Sequence, residues 1–114
     1  MAVFTVNTTP AMGEWMILDA YNTDCSTSTD LLATKAGHSY LVKSITVTFF
    51  GATDKWFKIF NDTTLAIGPI ELRGNQLWTV NYESPMVFTG AVKAQTESDK
   101  EIHITMSYRI LPTP

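Results

Sequence analysis

Few residues in this chain are of types that act together chemically. The two histidines, His38 and His103, stand far apart, and neither belongs to a His-x-His pair. The single cysteine, Cys25, excludes a Cys-x-x-Cys ligand pair and an intrachain disulfide. The chain holds 11 carboxylates. Many fall in segments that read as turns: Asp24, Asp30, Asp54, Asp62, Glu83, Glu97 and Asp99. Glycoside hydrolysis needs two carboxyl groups facing across a cleft, and turn placement gives no sign of that. A Ca²⁺ loop needs several acidic oxygens at close spacing, whereas the stretch from Asp24 to Asp30 has two, with Ser and Thr between. There is no Gly-rich phosphate loop and no Gly-x-Ser-x-Gly elbow. Ser26 and Ser28 show no His–Asp partnership. The sequence therefore predicts no enzyme, no metal site and no cofactor.

The aromatic residues carry more information. In Lys55-Trp-Phe-Lys-Ile-Phe60, period-two alternation puts Phe57 and Ile59 on one face. Trp56 and Phe60 lie on the other, flanking Lys58. In the preceding stretch Leu41, Ile45, Val47 and Phe49 make one face, and Tyr40, Val42 and Phe50 the other. An outer sheet face is normally polar. Apolar groups on both faces of two consecutive strands predict that the outer face is covered. The cover is another subunit, the chain's own terminal arm or a sugar on an aromatic platform, with the subunit favoured because interfaces are rich in such residues. The interface candidates are Trp56, Lys58, Phe60, Tyr40 and Phe50, with Phe4 in the arm. The Lys58 stem is long enough to lie along such a contact.

The elements that must position these residues read as strands throughout. Ile102, Ile104, Met106, Tyr108 and Ile110 alternate without a break with polar residues, the pattern of a strand with one face on a core. Ser39–Phe50 is as long and rich in β-branched and aromatic residues. Glu14–Ala20, Leu31–Thr34, Lys55–Phe60, Leu65–Leu72, Leu77–Tyr82 and Met86–Ala94 complete about eight strands. Gly51–Asp54, Asn61–Thr64, Arg73–Gln76 and Glu83–Pro85 are the expected turns. Pro69 inside Leu65–Leu72 marks an edge or a bulge, because proline cannot donate to a ladder. Tyr21–Asp30 reads as a polar loop, with Cys25 as an accessible thiol. Short strands at this spacing predict an all-β sandwich or barrel. Residues 1–13 read as an N-terminal arm, added to a neighbour's sheet, draped over a surface or frayed; residues 14–114 form the single sandwich domain.

At 114 residues and 12.7 kDa the chain is long enough for one core. Its net charge is −3 with dispersed basic residues, which argues against nucleic acid as partner. No apolar run approaches the ~18 residues of a membrane helix. The N-terminus has no basic region followed by an apolar run, so no signal peptide is expected.

Taken in order from His38, the segments VKSITVTF, GATDKW, FKIFND, LAIGPIEL, NYESPMVFTGAVKA and IHITMSYRI resemble the small jelly-roll domains of structural proteins in tailed bacteriophages. The nearest kind is the capsid decoration, or cement, protein; a tail or fibre component of similar fold is close behind. The resemblance covers about two-thirds of the chain and rests on strand order and texture. It implies an all-β, antiparallel jelly-roll β-sandwich of about eight strands, forming a homotrimer on the outside of the head lattice, its partner being the major capsid protein, located on the virion surface and assembled in the host cytoplasm. A rival of another class is a carbohydrate-binding module stacking sugars on Trp56, Trp78 or Tyr82.

Overall fold

The computed structural model describes residues 4–10, 15–22, 25, 27–49, 55–73, 76–97 and 102–112. Among these residues nine strands follow in order: β1 (Thr5–Pro10), β2 (Met16–Asn22), β3 (Thr29–Leu32), β4 (His38–Phe49), β5 (Lys55–Asn61), β6 (Thr64–Leu72), β7 (Leu77–Phe88), β8 (Val92–Thr96) and β9 (Ile102–Pro112). The pairing is nested about the β5–β6 hairpin. β5 pairs with β6, β4 with β7, β3 with β8 and β2 with β9, all antiparallel. Folding this long ribbon over brings β9 beside β4 and β8 beside β5. The result is two facing sheets, β1-β2-β9-β4-β7 and β3-β8-β5-β6. That order is a jelly-roll sandwich, so the expected fold class is observed, with β1 as a ninth strand.

β9 forms as its alternation dictates. Ile102, Ile104, Met106 and Tyr108 are buried, while Thr105 is exposed. On β5 Phe57 and Ile59 are fully buried and Trp56, Lys58 and Phe60 are not. Full burial of a ring such as Phe57 contributes about 1.5–3 kcal/mol. The sheets meet through Phe49 and Phe57, edge to face at 6.2 Å between centroids.

β4 differs from the alternation read off the sequence. Its pairing with β9 shifts between Val42 and Ser44, so Lys43 is an extra, bulged residue. The bulge reverses the facing of everything after it. Tyr40 and Val42 before it, and Ile45, Val47 and Phe49 after it, all point into the core. Leu41 takes the outward position and Phe50 lies outside the described residues; the other apolar residues expected on two faces of this strand share one face, broken by a slip of one residue. On the other side β7 accommodates the same slip with Tyr82 to Pro85 lying between the pairs Val42–Met86 and Ser44–Asn81. Glu83–Pro85 is thus a bulge inside one long edge strand, not a turn. The turn lies later, at residues 89–91.

There the β5–β6 hairpin is held by one side-chain bond and one main-chain bond. The Gly90 N–H donates to Asn61 Oδ1 (2.9 Å), and the Asp62 N–H to the Ala91 carbonyl (2.7 Å). A side chain at Gly90 would meet Asp62 Cβ at 2.9 Å. Pro69 does mark both features expected of it. β6 is an edge strand, and its register with β5 breaks beside Pro69. Gly68, at φ 94°, turns its backbone against the Phe57 carbonyl, which a Cβ would approach to 2.7 Å.

The residues read as an arm are placed in this chain's own sheet as far as they are described. Thr5–Pro10 pairs in unbroken register with β2, from Thr5–Tyr21 to Pro10–Met16. Phe4 is buried in the core.

Candidate functional site

The outer face of the four-stranded sheet carries Trp56 and Phe60, large aromatic side chains that the sequence singled out and the fold leaves partly exposed. Trp56, Lys58 and Phe60 project from β5, because Phe57 and Ile59 take the inward positions. Register places Glu71 of β6 opposite Trp56, and Gln95 of β8 opposite Lys58. Phe60 lies between Leu65 of β6 and Lys93 of β8. Leu65 is 45% exposed, so Phe60 and Leu65 make a small apolar patch beside the hairpin.

At the other end Trp56, Lys58, Pro69 and Glu71 line a cleft of about 410 Å³. The break in β6 at Pro69 opens this cleft, since a regular edge strand would present a flat surface there. The Lys58 ammonium sits 4.8 Å from the centre of the Trp56 ring, a cation–π contact on a partly exposed surface. The main-chain N–H of Trp56 donates to Glu97 Oε1 at 3.1 Å. The ring therefore shares its cleft with one carboxylate, Glu71, and has an ammonium over its face. Farther along, Lys93 reaches Asp30 at 3.7 Å and Asp62 at 4.0 Å. These are exposed pairs that contribute little to stability.

The other outer face is different in kind. Across the five-stranded sheet one row runs Asn7, Asp19, Thr105, Thr46 and Thr79. Its side chains bond along the row: Thr46 Oγ1 and Thr79 Oγ1 are 2.9 Å apart, and Thr105 Oγ1 donates to Asp19 Oδ1 at 3.4 Å. Tyr21 stacks on His103 at 5.5 Å. His103 is thus a surface packing residue. Among the described residues no group of three or more His, Cys, Asp or Glu is placed to hold a metal ion.

Three expectations are corrected. Tyr40, expected at an interface, is 6% exposed; its ring packs on Tyr108 at 6.0 Å and its hydroxyl donates to the Ala33 carbonyl. The Lys43 bulge is the reason, because it lets the residues on both sides of it face inward. Phe4, also expected at an interface, belongs to the core, because the strand it precedes joins this chain's own sheet. Cys25, expected in an open loop, is fully buried, and its thiol donates to the Ala94 carbonyl at 3.2 Å. The Cys25 carbonyl accepts the Thr96 N–H at 2.8 Å, so this part of the loop continues the edge of β8. Phe50, the remaining candidate, lies outside the described residues.

Of the three proposed stacking rings, Trp78 packs inward on Phe57 at 5.4 Å. Tyr82 sits half-buried in the β7 bulge, and burial holds its phenol above the usual tyrosine range. Trp56 is the ring left on an open face. Sequence reasoning missed Glu71, Pro69 and Glu97, which reach Trp56 only through strand pairing and a backbone bond from a loop.

No protein-family model and no curated protein matches this chain. Among solved structures it is similar to the Bacillus endospore appendages that form disulfide-linked pili, at 9% identity and a TM-score of 0.47, covering 100% of this chain and 92% of that one. It is also similar to the Cnp3 cupin domain of Schizosaccharomyces pombe, at 1% identity and a TM-score of 0.40, over 93% of this chain and 60% of that one. A third is the Clostridium thermocellum xylanase 10B structure of CBM22-1 and GH10 modules, at 14% identity and a TM-score of 0.41, over 93% of this chain and 24% of that one. At such values the fold class rests on the strand order itself.

Proposed function

We propose that this chain is a non-catalytic structural protein of a virion: a capsid decoration protein of a tailed bacteriophage that forms a homotrimer and binds the outside of the head lattice. One observation carries the reading. Trp56 and Phe60 point outward from β5 while Phe57 and Ile59 fill the core behind them. With Leu65 they form an apolar strip along one sheet face, and burying the remaining exposed part of each ring contributes on the order of 1 kcal/mol. Three-fold symmetry repeats that gain in every interface. Binding only the assembled lattice then stabilises the lattice by mass action, and three attachment points add avidity without new contacts. The structures named above are a pilus, a cupin domain and a xylanase, so the assignment to phage heads draws on the sequence resemblance.

The test is the double substitution Trp56→Ser with Phe60→Ser. Its expected result is a lower mass by light scattering, with the β-sheet signal intact in circular dichroism and reduced co-sedimentation with capsids. A double mutant that stays folded, trimeric and capsid-bound overturns the reading. Co-sedimentation with tails instead of heads assigns the same fold to a tail or fibre.

A second reading is favoured by the cleft. A tryptophan beside carboxylate and ammonium groups suits a sugar, whose C–H face stacks on the ring while its hydroxyls both donate and accept. In that case glycans shift tryptophan fluorescence, and Trp56→Ala abolishes the shift while Trp78 still reports an intact core.

A further inference from the structure

A two-sheet sandwich has four edges, and three of them here carry a device that blocks pairing with another strand. β6 is broken at Gly68-Pro69, where its register with β5 shifts. β7 has Pro85 within a four-residue bulge. β3 is four residues long, and its register with β8 shifts between Asp30 and Leu32. β1 is different. Its six residues, Thr-Val-Asn-Thr-Thr-Pro, pair with β2 without a shift and include no charge. Among the described residues no strand lies on its other side. Pro10 is its only blocking residue and stands at its end. Phe4, buried just before the strand, pins it to the sandwich.

We propose that β1 is a self-association edge, which pairs antiparallel with β1 of a second copy and joins two five-stranded sheets into one continuous sheet. The occupant is a second copy because the strand is complementary to itself. It sets no like charges opposite one another, a juxtaposition that destabilises cross-strand pairs. Side chains alternate faces with period two, so a pair that keeps both outer faces on the same side must match residues whose numbers have an even sum. The register centred on Asn7 meets that condition and leaves out Pro10, which has no N–H to donate. It sets Thr5 opposite Thr9, Val6 opposite Thr8, and Asn7 opposite its own copy. A side-chain amide holds both donors and acceptors, so two asparagines can bond each other across the two-fold axis. Such a contact is isologous and closes with two chains. It is separate from the Trp56–Phe60 face, and in a trimer it would join two trimers.

The experiment places a charge on the axis. Asn7 is exposed, so Asn7→Lys and Asn7→Glu should keep the fold, confirmed by circular dichroism. Native mass spectrometry should give an even number of chains for the unaltered protein and half that mass for either variant alone. An equal mixture of the two variants should restore the full mass as mixed pairs. Hydrogen exchange gives a second readout: amides of Thr5 to Thr9 that point away from β2 should exchange more slowly as protein concentration rises. An odd number of chains, a mass that both variants leave unchanged, a mixture without mixed pairs, or exchange independent of concentration each overturns the proposal. Loss of mass in the Trp56→Ser, Phe60→Ser protein with retained β1 protection separates the two contacts.

Discussion

The ring of Phe57, in the four-stranded sheet, meets the ring of Trp78, in the five-stranded sheet, at 5.4 Å between centroids and a tilt of 58°. Neighbouring positions on β5 thus have opposite duties, Phe57 joining the sheets and Trp56 facing outward. Phe57→Ala should cost about 3–5 kcal/mol and move Trp78 emission to longer wavelength as water reaches it. Trp56→Ala should leave the melting temperature within a few degrees of the unaltered protein. Equal losses in the two variants would contradict the facing of β5.

A sharper pair lies on β9. Ile104 is fully buried in the core cluster, while His103 stacks on Tyr21 at the surface. Ile104→Asp buries an unpaired charge and should abolish the cooperative transition. His103→Ser removes one ring contact and should cost about 1 kcal/mol, within the range for such pairs. Thermal melts of the two proteins decide it.

Cys25 offers a chemical test of the loop before β3. Its thiol is buried and bonded to the Ala94 carbonyl. An aromatic disulfide reagent should leave the native protein unlabelled and react fully once denaturant unfolds it. Cys25→Leu should destabilise by about 1–3 kcal/mol through overpacking. Rapid labelling of the native chain would mean that the loop opens without global unfolding.

Tyr40 predicts an alkaline dependence. Burial first, then Tyr108 and Asp30, raise its phenol above the ordinary value of 10.0. The folded state thus favours the neutral ring. Its contribution is fully present below the unfolded value and is lost as pH rises from there through the folded value. Tyr40→Phe should flatten the fall in stability above pH 10. It should also cost about 0.5–1.5 kcal/mol near neutrality through the lost bond to Ala33. Tyr82, raised by burial as well, should leave a residual slope. An unchanged slope in denaturant titrations would remove Tyr40 from the account.

What the sequence made legible follows from how local each signal is. The alternation of β9 and the split of β5 into Trp56/Phe60 and Phe57/Ile59 depend only on period two, and both hold. The placement of Tyr40 depends on a bulge at Lys43, which no residue type announces, since lysine suits a regular outward position equally well. Pro85 looked like a turn because proline favours turns; on an edge strand the same residue fits a bulge instead. Cys25 sits among polar neighbours, and long-range bonds from Thr96 to its carbonyl and from its thiol to Ala94 hold it inward. The cleft beside Trp56 needed Glu71 and Pro69, whose proximity comes from pairing register and not from spacing along the chain.

The position of β9 has a consequence for how the protein is made. It is the last of the described strands in the chain, yet it lies in the middle of its sheet, between β2 and β4. Asp19 and Thr105, bonded across β2 and β9, are 86 residues apart. On the ribosome the β5–β6 hairpin and its neighbours β4, β7 and β8 emerge before β9, so β2 has no partner on its β9 side until β9 itself has been made. During that interval β2 and β4 each present an unpaired apolar flank, the kind of surface that captures another nascent chain. Closing such distant contacts is slow, so yield during expression should depend on translation rate and temperature more steeply than the equilibrium stability of the finished sandwich does.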